Sequence, residues 1–290
     1  MSTTTDIRQR FLFPDTDIRG EILRLEAGLP PALRNEHLAL PARDLLGQAM
    51  AAVALLSGTL KFDGRLSLQA RGDGTVQLLV AEATQDGGLR GMVRHNEEMT
   101  GGLDSLSPGD LLGGGTLAIT LQPDQGHAYQ GVVPLEQPDL AGCLQDYFRR
   151  SEQLPTHIQL ACGHDRAAGL LLQRLPDRVA SAEANVEAWQ HLRTLASTLT
   201  AEELVDLPPE KVLHRLFHET PPEVTPGTPL RFACTCSRER VRNTLVSLGR
   251  DELAAILAEQ GRADVTCEFC GTVEAFEREE LRTLMEEAGS

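Results

Sequence analysis

Four cysteines near the C-terminus carry the most legible chemistry of this chain: Cys234-Thr-Cys236, thirty intervening residues, then Cys267-Glu-Phe-Cys270. Two short pairs of thiolates can close a tetrahedron around one Zn²⁺, because each pair supplies two sulfurs and the segment between them only has to fold back. Gly271 follows the second pair and supplies the positive φ that a tight turn under a metal needs. The alternatives are a pair of structural disulfides or simply buried thiols; this spacing in a reducing compartment favours one zinc per chain, held by Cys234, Cys236, Cys267 and Cys270. The Cys-x-Cys half differs from the Cys-x-x-Cys repeat of a plain zinc ribbon, which points toward redox chemistry.

Other reactive side chains read as structural. Cys143 falls on an apolar helical stripe and Cys162 on an apolar strand face, where each behaves as a small hydrophobe. His214 and His218 lie four apart on a helix but lack the glutamate of a His-Glu-x-x-His site, so a solvated face is expected. Gly113-Gly-Gly-Thr116 lacks the Lys-Ser/Thr of a phosphate cradle and reads as a turn before a strand. Asp15, Asp17 and Arg19 form a charged cluster with no histidine or nucleophile nearby in sequence. None of these makes a catalytic constellation, and the chain is not expected to be an enzyme.

The elements that position the cysteines begin with a buried helix over residues 40–60, where Leu45, Leu46, Ala49, Met50, Val53 and Leu56 recur at helical spacing and Pro41 suits the first turn. Leu66, Leu68 and Ala70 alternate, Arg71-Gly-Asp-Gly74 turns, and Val76, Leu78 and Val80 resume the alternation, which predicts a hairpin. A second hairpin is expected through Leu117, Ile119 and Leu121, a turn at 123–126, and a return past Tyr129 and Val133. A helix over 139–150 carries Leu140, Cys143, Leu144, Tyr147 and Phe148 on one stripe. Ile158, Leu160 and Cys162 then alternate toward a returning strand at 170–172. Residues 1–176 are therefore read as an α+β domain of antiparallel sheets with packed helices.

After Pro176 the character changes. Residues 179–200 read as an Ala-rich helix with a narrow stripe of Val186, Trp189, Leu192, Leu195 and Leu199, and Thr200-x-x-Glu203 reads as a capping box for the next helix. A short helix from 209 to 218 offers Val212, Leu213, Leu216 and Phe217, and Pro221, Pro222, Pro226 and Pro229 make a stiff connection. Such short helices hold only by leaning on something else, so 177–230 is read as a helical linker region of low intrinsic stability. Residues 231–290 form a small four-cysteine domain. There Ser237 caps a helix ending at Gly249, Asp251 caps another ending at Gly261, and a charged helix runs from Glu277.

Composition narrows the partners. The formal net charge is -15, and the 231–290 segment carries 8 Arg against 12 Asp plus Glu, so a nucleic-acid partner is disfavoured. Neither a signal peptide nor a transit peptide is legible in the first residues, and no apolar run reaches a membrane span, so a soluble cytoplasmic protein is expected.

Further stretches stand out along the chain: Phe11-Leu-Phe13, Asp17-Ile-Arg-Gly20, Leu55-Leu-Ser-Gly-Thr-Leu-Lys-Phe62, Gly72-Asp-Gly74, Leu78-Leu-Val-Ala-Glu82, Tyr147-Phe148 and Ser151-Glu-Gln-Leu-Pro155. They continue with Ala167-Ala-Gly-Leu-Leu-Leu-Gln173, Leu213-His-Arg-Leu-Phe-His218, Cys234-Thr-Cys-Ser-Arg-Glu-Arg240, Leu248-Gly249, Asp251-Glu-Leu253, Glu259-Gln-Gly261 and Cys267-Glu-Phe-Cys270. Together they resemble the 33 kDa chaperonin family, the redox-regulated heat-shock holdases. One departure is Glu274, two positions before Phe276, where family members often carry an aromatic residue.

The resemblance implies an ATP-independent chaperone that is inactive when reduced with four cysteines on zinc. Oxidation is implied to expel zinc and to pair Cys234 with Cys236 and Cys267 with Cys270. Unfolding clients are the implied partners, with a homodimer as the active oxidised form. The stripe Val186, Trp189, Leu192 and Leu195, with Leu216 and Phe217, is the candidate sensor and client surface. Two other classes use the same quartet. A zinc-ribbon nucleic-acid regulator is opposed by the acidic module, and a thiol-disulfide oxidoreductase lacks a thioredoxin-like βαβ context around Cys267 and Cys270.

Overall fold

The computed structural model describes residues 6–34, 38–59, 63–96 and 108–288; the end of the Leu55 to Phe62 motif, residues 60–62, lies outside them. The chain divides into two compact units, with the break between Ala233 and Cys234.

In the first unit β1 (Ile7–Leu12) and β2 (Ile18–Leu25) form a hairpin, and α1 (Leu40–Thr59) follows. Next come β3 (Gly64–Gly72), β4 (Val76–Thr84), β5 (Gly88–His95), the short α2 (Pro108–Leu112), β6 (Gly115–Pro123) and β7 (Tyr129–Pro134). Then α3 (Leu140–Tyr147) leads into β8 (Thr156–Cys162) and β9 (Ala167–Arg174). Two antiparallel sheets result. One has the order β1-β2-β9-β8 and the other β5-β4-β3-β6-β7.

Helix α1 packs against strands of both sheets. Its burial explains its sequence: Ala, Leu, Val and Met occur all round the helix, and positions from Ala42 to Gly58 are buried on every face. The hairpins β3-β4 and β6-β7 form as the alternation predicts. In β4, however, the inward residues are Val76, Leu79, Ala81 and Ala83, whereas Leu78 and Val80 are only partly buried. An irregularity between Val76 and Leu78 shifts the register, and a one-residue shift moves every later side chain to the other face. Helix α3 carries its expected stripe and is capped by the Asp139 carboxylate, which accepts from Gly142 N at 2.7 Å. A π-helical turn, Phe148–Glu152, extends it and ends at Gln153 with φ 55°.

The far face of the β1-β2-β9-β8 sheet is covered by α4 (Ala182–Ala196), α5 (Ala201–Asp206) and α6 (Pro209–Phe217). Strand β9 is buried on both faces because it separates two cores: Leu171 points toward α1, while Leu170 and Leu172 point toward α4 to α6. The segment 177–230 set apart in the sequence therefore packs within the first unit. Beyond α6 the proline-rich segment is laid along sheet edges. The two-residue strands β10 (Glu223–Val224) and β11 (Thr228–Pro229) pair with β1, and β12 (Arg231–Phe232) runs parallel to β5.

The second unit comprises α7 (Arg238–Leu248), α8 (Arg250–Glu259), the hairpin β13 (Ala263–Thr266) and β14 (Val273–Phe276), and α9 (Arg278–Glu287). Ser237 caps α7 as its position predicts, accepting from Arg240 N at 3.3 Å. Asp251 does not cap α8. Gly249, with φ 89°, ends α7 and begins α8 in one residue, so Asp251 falls inside the first turn. Helix α9 starts with a capping box between Glu277 and Glu280.

Candidate metal centre

Each cysteine pair is presented by a tight piece of backbone. Cys234 and Cys236 precede the Ser237 cap, and the Arg240 guanidinium donates to Thr235 O at 2.5 Å, bracing the turn between them. Cys267 and Cys270 lie in the turn of the β13-β14 hairpin, closed by Cys267 N donating to Thr272 O at 2.9 Å and Gly271 N donating to Cys267 O at 2.8 Å. Gly271 sits at φ 73°, the left-handed region that a side chain there would strain.

These turns bring the four sulfurs within 4.8 Å of one another. Cys234 Sγ lies 3.7 Å from Cys267 Sγ, and Cys236 Sγ lies 3.4 Å from Cys270 Sγ. A tetrahedral ion with bonds of about 2.3 Å sets its sulfurs about 3.8 Å apart, so the quartet has the spacing of a closed four-thiolate site. Without a cation such a cluster resists full ionisation. Hydrogen bonds to neighbouring sulfurs, led by Cys270, push the Cys236 thiol up. For Cys270 burial acts upward, but hydrogen bonds with Thr272 and with the neighbouring sulfurs prevail and bring it down to about 6. A divalent cation removes this conflict by neutralising two of the four charges. All four cysteines are half-buried.

The module has a small apolar core of its own. Its core is Leu245, Leu253, Ala263, Phe276, Leu281 and Leu284. Glu274 accepts from the Arg238 guanidinium at 3.1 Å, while Glu280 accepts from it at 2.6 Å. The same guanidinium lies 4.3 Å from the centre of the Phe276 ring, so a cation over the ring occupies the side where a neighbouring aromatic could pack.

The other residues singled out in the sequence separate clearly. Trp189, Leu192, Leu216 and Phe217 are buried against Phe11, Phe13, Ile18, Ile22, Leu170 and Leu172, and Leu195 packs partly against the same cluster. The Phe217 ring meets Phe13 edge-on at 5.0 Å. Phe11 reaches this cluster because its cross-strand partner is Gly20, where a Cβ would lie 2.1 Å from the ring. Val186 departs from the expected stripe: it is 37% exposed, and Asn185 is fully buried in its place. Residues 185, 189, 192 and 196 share one face of α4, Leu199 is buried just beyond its end, and Val186 stands about 100° round from Asn185. Polar Asn185 was invisible to a search for apolar periodicity.

Among the described residues the four cysteines are the one cluster fit for a metal ion. His214 and His218 are exposed, with ring centres 6.3 Å apart. Cys143 is buried, and burial, then the charge of Asp44, pushes the half-buried Cys162 thiol up to about 12, so neither is a reactive thiolate. Gly113 to Gly115 form a turn against the β3-β4 loop, with Asp73 N donating to Gly114 O.

A family model described as Hsp33 protein matches residues 6–277. The chain belongs to the Hsp33 family. It is 46% identical over 288 residues to a 33 kDa chaperonin of Pseudomonas aeruginosa, covering 99% of this chain and 96% of that one. To a 33 kDa chaperonin of Neisseria meningitidis it is 44% identical over 283 residues, covering 97% and 92%. The crystal structure of a 33 kDa chaperonin, an Hsp33 homologue from Thermotoga maritima, superposes with a TM-score of 0.83 at 25% identity, covering 98% of this chain and 99% of that one. Hsp33 membership makes the chain a chaperone, a protein whose partners are unfolded polypeptides. No helix among the described residues is long and apolar enough to cross a membrane.

Proposed function

We propose that this Hsp33 is a redox-regulated, ATP-independent holdase of the cytoplasm, which binds unfolding proteins and keeps them from aggregating under oxidative stress. The observation that carries the reading is the convergence of four sulfurs of half-buried cysteines within 4.8 Å in a module with six buried apolar residues. Bound there, Zn²⁺ would supply the positive charge that keeps all four sulfurs as thiolates and the crosslink that the small core lacks.

The thiolate is the form that peroxide or hypochlorous acid attacks. Each pair then gives up two electrons to the oxidant and forms one disulfide, Cys234 with Cys236 and Cys267 with Cys270. Disulfide sulfurs are poor metal ligands, so the crosslink between the two turns is lost and the module unfolds. The sensor is α4 to α6, whose buried residues Trp189, Leu192, Leu216 and Phe217, with Leu195 beside them, cover an apolar sheet face. Their release under mild heat exposes surface to a client, and the active form is a homodimer.

The test combines three measurements on one preparation. Metal analysis of the reduced protein should give about one zinc per chain. Peroxide with mild heat should release it and turn the protein into a suppressor of client aggregation without ATP. Undiminished zinc after all four cysteines are replaced by serine, or no suppression after full oxidation, defeats the reading.

A further inference from the structure

Helix α4 is fastened to the sheet by more than its apolar stripe. Asp17, immediately before β2, is 7% exposed, and Asn185 in the first turn of α4 is fully buried. The Asp17 carboxylate accepts from the backbone N–H groups of Arg178 at 2.9 Å, Val179 at 2.9 Å and Ala180 at 3.2 Å. It also accepts from Asn185 Nδ2 at 2.8 Å. In the other direction, Asp17 N donates to Asn185 Oδ1 at 2.9 Å, and Leu175 N donates to Asp17 O at 2.7 Å. Asn185 Nδ2 reaches Asp177 Oδ1 at 2.9 Å as well.

The loop that leads into α4 is thus wrapped around one carboxylate. Three successive N–H groups form an anion-holding concavity, and the N-terminus of α4 adds its own partial positive charge. The ligand of this concavity is a side chain of the β1-β2 turn, 168 residues away from Asn185 in sequence. A fully buried Asn with both ends of its amide engaged is costly to leave half-satisfied, so the bonds should break together rather than singly.

We propose that the Asp17 carboxylate and Asn185 act as the latch that positions α4 on the sheet and sets the threshold at which α4 to α6 are released. The inference rests on the reading of α4 to α6 as the sensor, and assigns the setting of that sensor to two polar residues. An apolar stripe is non-directional and tolerates small shifts of the helix. A buried polar latch that loses all its bonds in one step makes release cooperative. It also makes the threshold depend on Asp17 and Asn185 while leaving the surface that meets a client unchanged.

The experiment measures Trp189 fluorescence and hydrogen exchange of residues 182–217 against temperature, in the reduced, metal-loaded full chain without client. Aggregation suppression by the oxidised protein is measured separately. Asp17→Asn keeps the shape but removes the charge and sets an amide donor against the Val179 N–H, which lies 3.2 Å from the other carboxylate oxygen; Asn185→Asp sets a carboxylate against those of Asp17 and Asp177. Each should lower the release temperature and raise exchange of α4 roughly tenfold or more. Ser181→Ala, which removes an ordinary cap bond to Ala184 N, should shift it less.

The deciding arm is the double variant Asp17→Asn with Asn185→Asp. The first change removes the Asp17 share of the repulsion created by the second, so release should occur at a higher temperature than in Asn185→Asp alone. Additive effects, or single shifts no larger than that of Ser181→Ala, overturn the latch. If the oxidised wild type suppresses no aggregation while these thresholds shift as stated, the holdase reading fails and the latch stands.

Discussion

Truncating Phe217 gives the most direct measure of how the covering helices are held. Its side chain is fully buried, with its ring centre 5.0 Å from that of Phe13 and 6.3 Å from that of Phe11. Phe217→Ala removes a complete ring from between α6 and the sheet, and such truncations cost about 3–5 kcal/mol from lost transfer energy and the cavity left behind. If α4 to α6 open as a unit while the sheets stay folded, their open fraction rises by a factor of roughly 10² to 10³ or more, at about 1.4 kcal/mol per decade. Hydrogen exchange of the reduced, zinc-loaded protein should therefore speed up by that factor in residues 182–217 and remain near wild type in residues 66–83. Val186→Ser is the matched control. Val186 is 37% exposed, so its replacement should stay within about 0.5 kcal/mol, roughly a twofold change. Equal acceleration in both regions of Phe217→Ala would show that the helices unfold only with the whole unit, and the sensor reasoning would then be wrong.

Three further outcomes follow from the geometry. Chelating the metal from the reduced protein should unfold residues 234–288 while the first unit keeps its circular dichroism and exchange protection, because six buried apolar residues are too few to hold the module alone. In peroxide, time-resolved disulfide mapping should find Cys267 joined to Cys270 before Cys234 joins Cys236, since the Cys-x-x-Cys ring is the less strained; the reverse order refutes this. Burial, then the charge of Arg193, lowers the His157 pKa from 6.5 to about 4. The neutral form is favoured in the folded state, so this stability is complete above pH 6.5, falls as pH drops toward about 4, and amounts to about 3 kcal/mol across that window. His157→Gln should flatten the dependence of unfolding free energy on pH between 6.5 and 4; an unchanged slope would place the titration elsewhere.

What was legible in the sequence follows the range of the interactions. The cysteine turns, the hairpins β3-β4 and β6-β7, the stripe of α3 and the capping box at Thr200 are each decided by residues within a few positions of one another. The β1-β2-β9 ladder is not local: Ile22 pairs with Leu170 across almost 150 residues. Strand β2 is moreover buried on both faces, so it lacks the alternation that marks a one-sided strand. Strands β10, β11 and β12 are two residues each and carry no period at all. Asp17 was visible as part of a charged cluster, but its meaning depends on Asn185, and neither residue type announces burial.

The two cores of the first unit differ in how they can be opened. Helix α1 is covered by a sheet on either side, so exposing its cluster requires separating both sheets. The helices α4 to α6 contribute no strand to the β1-β2-β9-β8 ladder; their hold on it is side-chain packing, the Asp17 and Asn185 bonds, and single contacts such as Gln159 Nε2 donating to Leu199 O at 3.2 Å. Opening them therefore breaks no ladder hydrogen bond and leaves Phe11, Phe13, Ile18, Ile22, Leu170 and Leu172 on an intact frame. Activation should accordingly remove helical circular dichroism while amides of β2 and β9 keep their slow exchange. Loss of protection in β2 and β9 at the same temperature as α4 would mean that the sheet melts with its cover and offers a client no preformed face.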